Sequence, residues 1–146
     1  PLRLTTRVRL PVSQAVIVLA RDSRDRVWQA RRHVRVLASS CQAQAQDNGL
    51  TGLGEIQASW RAGVLTSLLR HPMETGRRLD AAGQVLPRRL LQRFEVHSAT
   101  GVVLRVEPFE GLAANPYWRL QLPGDLGPLQ LRWEDADGSL YQKRLR

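Results

Sequence analysis

The stretch GPLQLRWEDADGSLYQKRL, residues 127–145, decides the fold class of this chain. Two short runs with strand character, residues 127–134 and 140–145, flank the sequence DADGS at 135–139. Asp, Gly and Ser are residues that tight turns favour, so the stretch predicts a β-hairpin.

The same alternation of short strands and turn signals continues through the rest of the chain. No segment shows the apolar spacing of a helix, so the sequence predicts an all-β sandwich fold. Ten strands exceed one small sandwich, and we expect three of them in a first domain and seven in a second. The other predicted strands cover residues 3–10, 15–20, 26–37, 54–60, 63–69, 91–97, 102–106 and 117–122.

The first three predicted strands form a meander in this interpretation. The apolar run AVIVLA, residues 15–20, is short and rich in β-branched residues, which predicts a fully buried strand. The apolar positions change parity between Val27 and Val34, which predicts a bulge near residues 30–32.

The segment LASSCQAQAQDNGL, residues 37–50, follows these strands and holds Cys41, the single cysteine of the chain. It has neither strand alternation nor a helical apolar stripe, so we expect Cys41 to be exposed. One cysteine excludes an internal disulfide and any cysteine-rich metal site. From the residues alone, Cys41 is either an inert linker thiol or a chemically active one.

The formal charge of +9 arises from 22 basic residues against 13 acidic ones, and Lys143 is the only lysine. The arginines are scattered, with no basic helix and no interleaved aromatic residues, so we expect no nucleic-acid partner. A positive surface would instead attract acidic partners or small oxyanions. No apolar run approaches the roughly 20 residues that would span a bilayer. The chain begins with Pro1 and shows no signal peptide, so we expect a processed or truncated polypeptide.

No residue pattern indicates an enzyme, a metal site or a cofactor. His71 opens a long loop, residues 71–87, and directly precedes a proline at the end of a predicted strand, so we expect a structural hydrogen-bonding role. The three histidines lack the spacing of metal ligands. We expect Met73 to pack onto the sandwich and the tryptophans to fill a core or an interface. The other residues considered are His33, His97, Trp60, Trp118, Trp133, and the unpaired carboxylates of Asp80, Glu107 and Glu110.

Residues 53–146 resemble SoxZ, a subunit of the carrier complex of bacterial sulfur oxidation. The resemblance rests on the order and spacing of HPMETG at 71–76, ANPY at 114–117 and WEDADG at 133–138. The remaining matching positions are Asp80, Gly83, Pro87, Arg88 and Phe94.

Residues 4–41 resemble the C-terminal part of SoxY, the partner subunit, through TRVRL at 6–10 and ARR at 30–32 leading towards Cys41. In that family the cysteine lies in a GGCGG tail, whereas here Ser39, Ser40 and Gln42 flank it. The resemblance implies two immunoglobulin-like β-sandwiches, the first incomplete in this chain. The implied domains are the C-terminal strands of a SoxY-like domain at 1–38, a cysteine-bearing arm and linker at 39–52, and a SoxZ-like sandwich at 53–146.

The resemblance implies a periplasmic, non-enzymatic carrier that holds thiosulfate-derived sulfur covalently on Cys41. The implied partners are the c-type cytochrome SoxAX, the hydrolase SoxB and, in some organisms, the sulfane dehydrogenase SoxCD. The remaining N-terminal strands of the SoxY-like domain are a further expected partner, in the same protein or in a second chain. One alternative is a structural or adaptor sandwich that has lost the carrier function. A second is an oxyanion- or nucleic-acid-binding module driven by the positive charge.

Overall fold

The computed structural model describes residues 3–37, 51–122 and 124–146. This part of the chain forms ten β-strands, which confirms the predicted all-β class. Within it, no helix is long and apolar enough to cross a bilayer. The strands are β1 (Arg3–Thr6), β2 (Gln14–Arg21), β3 (Val27–Val34), β4 (Ile56–Arg61), β5 (Val64–Leu69), β6 (Leu91–Ser98), β7 (Gly101–Val106), β8 (Tyr117–Gln121), β9 (Leu129–Asp135) and β10 (Leu140–Leu145).

The chain divides into two compact units, one of residues 1–9 with 47–146 and one of residues 10–46. The larger unit is an antiparallel sandwich of two four-stranded sheets. One sheet has the strand order β1-β8-β5-β4 and the other has the order β10-β9-β6-β7. Lys143 on β10 links the two sheets at their edges, because its Nζ donates a hydrogen bond to the Ile56 carbonyl at 2.8 Å.

The hairpin β4–β5 shows how local sequence sets the strand boundaries. Its turn consists of Ala62 and Gly63, both with positive φ, at 48° and 73°. Two consecutive residues with positive φ make the turn type whose twist matches that of the flanking strands. Arg61 pairs with Val64 across this turn, so the strands meet one residue later than the sequence predicts.

Inward-facing side chains of both sheets form one apolar core. Phe94 on β6 lies at its centre, with its ring centroid 4.1 Å from that of Trp133 and 6.0 Å from that of Trp118. The predicted core role of these tryptophans is confirmed, and Trp60 packs against the same core while partly exposed. The buried apolar residues are Ile56, Leu65, Leu69, Met73, Leu90, Leu91, Phe94, Val96, Leu112, Trp118, Leu120, Leu122, Leu129, Leu131, Trp133 and Leu145.

Strand β1 belongs to the larger unit, not to a meander with β2 and β3. Its residues 3–6 pair antiparallel with residues 118–121 of β8, so the sandwich has eight strands instead of seven. The prediction of a three-stranded meander is therefore wrong. Alternation identifies a strand but carries no information about which distant strand will pair with it.

The smaller unit contains the hairpin β2–β3. Its register runs without a shift from Gln14 paired with Val34 to Arg21 paired with Val27, so the predicted bulge is absent. The predicted burial of residues 15–20 is also wrong, because Val18 and Leu19 are 59% and 68% exposed. The described part of the smaller unit contains only these two strands, so within this unit the apolar side chains of the hairpin have no second layer to pack against.

Candidate functional site

A polar cluster with a buried centre lies at the end of the sandwich where β5 and β9 end and where β6 and β8 begin. We call it the His71 cluster, and its members are His71, Arg89, Asn115 and Asp135. His71 and Asp135 are both fully buried, and His71 Nε2 lies 3.2 Å from Asp135 Oδ2. Arg89 Nε donates a second hydrogen bond to the same oxygen at 3.0 Å. The guanidinium therefore balances the charge of a carboxylate that has no access to water.

The hydrogen bonds define the tautomer of His71. The backbone N–H of Met73 donates to His71 Nδ1 at 3.1 Å, so Nδ1 is an acceptor and carries no proton. The proton of the neutral ring then lies on Nε2 and is donated to Asp135. Protonation of Nδ1 would place two N–H groups against each other and would break the bond from Met73.

The environment of His71 favours the neutral ring. Burial lowers the pKa of His71, and it outweighs the opposing effects of the hydrogen bond to Asp135 and the charge of that carboxylate. The pKa of Arg89 is raised, since its hydrogen bonds to Asp135 and Asp137 outweigh the opposing effect of its burial. The cluster thus holds a charged Arg89 beside a neutral His71.

Two residues bonded to His71 have left-handed backbones without being glycine. Met73 has φ of 48° and Asn115 has φ of 50°, a conformation that is uncommon for residues other than glycine. Asn115 is bonded to His71 twice: its Oδ1 accepts from the His71 N–H at 3.1 Å, and its own N–H donates to the His71 carbonyl at 2.8 Å. Met73 is fully buried, which confirms its predicted packing. These bonds and contacts hold both residues in place despite their backbone strain.

The chain leaving β1 passes over the same end of the sandwich. Arg9 Nη2 donates to the Met73 carbonyl at 3.1 Å, and the Arg9 N–H donates to the Gly111 carbonyl at 2.7 Å. Glu74 holds the loop from its other side, where its carboxylate accepts from Arg78 Nε at 2.8 Å and from two backbone N–H groups. Hydrogen bonds at the cluster therefore connect several loops to one another.

Because His71 and Asp135 are fully buried, the cluster can hold and orient loops but cannot bind a substrate as it stands. The predicted structural role of His71 agrees with this geometry.

The sequence motifs at 71–76, 114–117 and 133–138 supply three of the four cluster members, His71, Asn115 and Asp135. Residues 58–146, more than half of the chain, match the family model described as sulphur oxidation protein SoxZ. The chain belongs to the SoxZ family. No curated protein matches the chain.

SoxZ proteins are components of the sulfur-oxidation system and are not themselves known catalysts, so this chain is assigned to that system. The match confirms the resemblance predicted for the second part of the chain, over residues 58–146. The SoxY resemblance of residues 4–41 and the three domain boundaries stay predictions.

Sequence reasoning missed the partners of His71. Asp135 lies 64 residues from His71 and Arg89 lies 46 residues from Asp135, so no local spacing joins them. The available signal was that His71 and Asp135 both lie in the motifs quoted for the SoxZ resemblance, which does not give their geometry.

The predicted substrate-attachment residue, Cys41, lies outside the described residues, as do its neighbours from position 38 to position 50. The structure does describe the two ends of this segment. On the N-terminal side, the Val36 N–H donates to Ser13 Oγ at 2.8 Å. On the C-terminal side, the Gly54 N–H donates to the Arg70 carbonyl at 2.9 Å.

The other histidines are not members of the His71 cluster. His33 is exposed on β3, and His97 Nε2 lies 2.9 Å from Glu95 Oε2 near the end of β6. Hydrogen bonds from Arg105, and then from His97, lower the pKa of Glu95. Within the described ranges, no group of three or more His, Cys, Asp or Glu side chains could hold a metal ion.

Two of the carboxylates named in the sequence analysis, Glu110 and Asp80, have structural partners. Glu110 bridges two arginines, with Oε1 2.9 Å from Arg88 Nη2 and Oε2 3.3 Å from Arg77 Nη2. Asp80 accepts backbone hydrogen bonds from Ala82 and Gln84 within its own loop, both at 2.8 Å.

Proposed function

We propose that this SoxZ-family chain is a covalent carrier of thiosulfate-derived sulfur, with Cys41 as the attachment residue. The observation that carries the proposal is the family match at 58–146 in a chain whose single cysteine lies in a polar segment just before the matched region. The SoxY-like approach to Cys41 gives further support. Membership in the sulfur-oxidation system makes an active thiol a better interpretation than an inert one.

The chemistry suits a thiol. Joining the Cys41 thiol to the outer sulfur of thiosulfate forms one S–S bond and releases one proton and two electrons, which the c-type cytochrome partner SoxAX accepts. The hydrolase SoxB then adds water, which releases sulfate and a proton and leaves a persulfide on Cys41. In organisms that have it, the dehydrogenase SoxCD oxidises that persulfide further. The carrier holds the sulfur and the partners perform the catalysis.

A carrier must place its thiol inside partner enzymes. Val36 is held by Ser13, and Cys41 follows five residues later, so an extended arm reaches about 17 Å beyond this anchor. Small neighbours, among them Ser39, Ser40 and Ala43, suit entry into a narrow channel. We further propose that this takes place in the periplasm, where the family's carriers work.

The hairpin β2–β3 needs a second layer, and we propose that the remaining strands of the SoxY-like domain supply it. Ile17, Val18, Leu19, Val27 and Trp28 are each about half or more exposed. An isolated two-stranded hairpin is marginally stable in water. The covering strands come from the same native protein or from a second chain.

The decisive experiment is mass spectrometry of the protein after incubation with thiosulfate and the oxidising cytochrome. We expect one thiosulfonate adduct, located on the peptide that contains Cys41. The variant Cys41→Ser should take up no adduct while its melting temperature stays unchanged. If the protein from thiosulfate-grown cells shows only free thiol, it is an adaptor and not a carrier.

A further inference from the structure

The outer face of the sheet β1-β8-β5-β4 carries positive charge that the described residues do not balance. Along one cross-strand row, Arg3 pairs with Gln121, Gln121 with Val64, and Val64 with Arg61. In the next row, Arg119 lies between Thr5 and Thr66. Paired residues of neighbouring strands project from the same face, so Arg3, Arg61 and Arg119 share one surface, and all three are exposed.

No carboxylate lies at the outward positions of these four strands. Within the described part of the chain, none of Arg3, Arg61 and Arg119 forms an ion pair. The guanidinium of Arg7 adds a fourth positive charge, 5.0 Å above the outward-facing ring of Tyr117. The nearest acid along these strands is Glu55, one residue before β4, at the edge of this face. Its Oε1 accepts from Gln57 Nε2 at 3.4 Å, and its carboxylate lies with the Arg70 side chain near Gly52.

The outer face of the other sheet has a different arrangement. There Arg105 Nε lies 2.7 Å from Glu95 Oε1, and His97 lies 2.9 Å from the same carboxylate. Arg93 lies 3.4 Å from Glu134. Both carboxylates of this face are thus paired, although Arg132 and Arg144 also lie at its outward positions. The face of β1-β8-β5-β4 differs in having no carboxylate at any outward strand position.

We propose that this surface, which we call the arginine face (Arg3, Arg61, Arg119 and the hydroxyls of Thr5, Ser59 and Thr66), docks an acidic patch on a partner protein of the sulfur-oxidation system. Guanidinium groups bind carboxylates through two parallel hydrogen bonds, and an uncompensated positive face steers an acidic partner towards it. The proposal rests on membership in that system and not on loading of Cys41.

The spacing favours a protein over a small anion. Arg3 and Arg61 lie on the two edge strands, so their backbones are about 14 Å apart across three strand spacings. A single oxyanion needs donors that converge within a few ångströms, whereas the flat face of a sheet presents its groups side by side. Ser59 and Thr66 are already hydrogen-bonded to each other at 2.8 Å and keep the centre of the face polar.

The test compares two charge-reversal variants of the full chain. The face variant is Arg3→Glu, Arg61→Glu, Arg119→Glu. The matched control is Arg24→Glu, Arg144→Glu, Arg146→Glu, which changes the net charge equally at exposed positions elsewhere.

Association with purified SoxAX and SoxB is measured by surface plasmon resonance at about 20 mM and about 150 mM ionic strength. With at least one of these enzymes, we expect the face variant to associate roughly ten- to a hundredfold more slowly at low ionic strength. The control should change by less than about twofold, and higher salt should reduce the effect.

Four results would overturn the proposal. The first is an equal effect of both variants, which would indicate net charge alone. The second is no binding of the wild-type chain to either enzyme at low ionic strength. The third is binding of duplex DNA or anionic phospholipid vesicles, but of neither enzyme. The fourth is a lower melting temperature of the face variant with unchanged binding, which would mean that the face is covered within the protein.

Discussion

Acidification should weaken the fold through His71. The pKa of this ring is lowered from its ordinary 6.5 by burial, so the folded chain holds it neutral over a pH range in which the unfolded chain protonates it. Unfolding then takes up a proton, and the free energy of unfolding decreases as the pH falls. The contribution of His71 is fully present above pH 6.5 and is lost progressively below it, towards the pKa of the folded state.

The uptake of a single proton sets an upper limit on this loss of stability. One proton changes the free energy of unfolding by at most about 1.4 kcal/mol per pH unit. Between pH 6.5 and pH 5 the loss is therefore up to about 2 kcal/mol. That is a large part of the 5–15 kcal/mol that stabilises an ordinary domain.

Two substitutions separate the hydrogen bonds of His71. His71→Gln keeps an N–H for Asp135, and His71→Asn keeps an acceptor for the Met73 N–H. Each variant leaves one buried group unpaired, so each should lose about 1–3 kcal/mol at pH 7.5. Neither side chain titrates, so the difference from the wild type should shrink by up to about 2 kcal/mol at pH 5.

The assay is urea unfolding, followed by tryptophan fluorescence, at several pH values from 5 to 7.5. All variants share the same carboxylates, so the effect of their titration on the free energy of unfolding cancels when variants are compared. The control His33→Gln replaces an exposed histidine, and an equal change of pH dependence in this variant would mean that burial of His71 is not the cause. If the stability difference between wild type and His71→Gln stays constant over this range, His71 is not held neutral and the reasoning fails.

Two further predictions concern packing, and thermal unfolding measures both. In Gly54→Ala, the new Cβ would meet the Tyr141 ring at about 2.4 Å with φ at +83°, so we expect a loss of about 2–4 kcal/mol. Gly138→Ala has a similar φ of +87° and open space, so it should lose only about 1 kcal/mol; equal losses would exclude the clash as the cause. Phe94→Ala empties the centre of the core and should lose about 3–5 kcal/mol, whereas Phe109→Ala, at a side chain that is 81% exposed, should change stability by less than about 0.5 kcal/mol. Comparable losses in the two phenylalanine variants would contradict the assigned core.

The strands could be predicted because their signals are local. The turn sequence at 135–139 and the alternation at 140–145 gave β10 its observed bounds, and the hairpin at 56–69 was displaced by only one or two residues. Strand pairing was harder, because β1 has the same alternation whether it joins β2 or β8. The prediction of burial was wrong at residues 15–20 for a related reason. An apolar run favours packing against a second layer of strands, but it does not show whether the chain contains that layer.

The sequence by itself determined the all-β class, the positions of the strands, the order of the SoxZ motifs and the presence of one thiol at Cys41. These properties depend on residue type and on spacing over a few positions. Only the tertiary structure decided that Arg89 meets the buried pair of His71 and Asp135, and that arginines from β1, β4 and β8 share one face. Such contacts join residues far apart in the chain, and their energies depend on the packing of the whole sandwich.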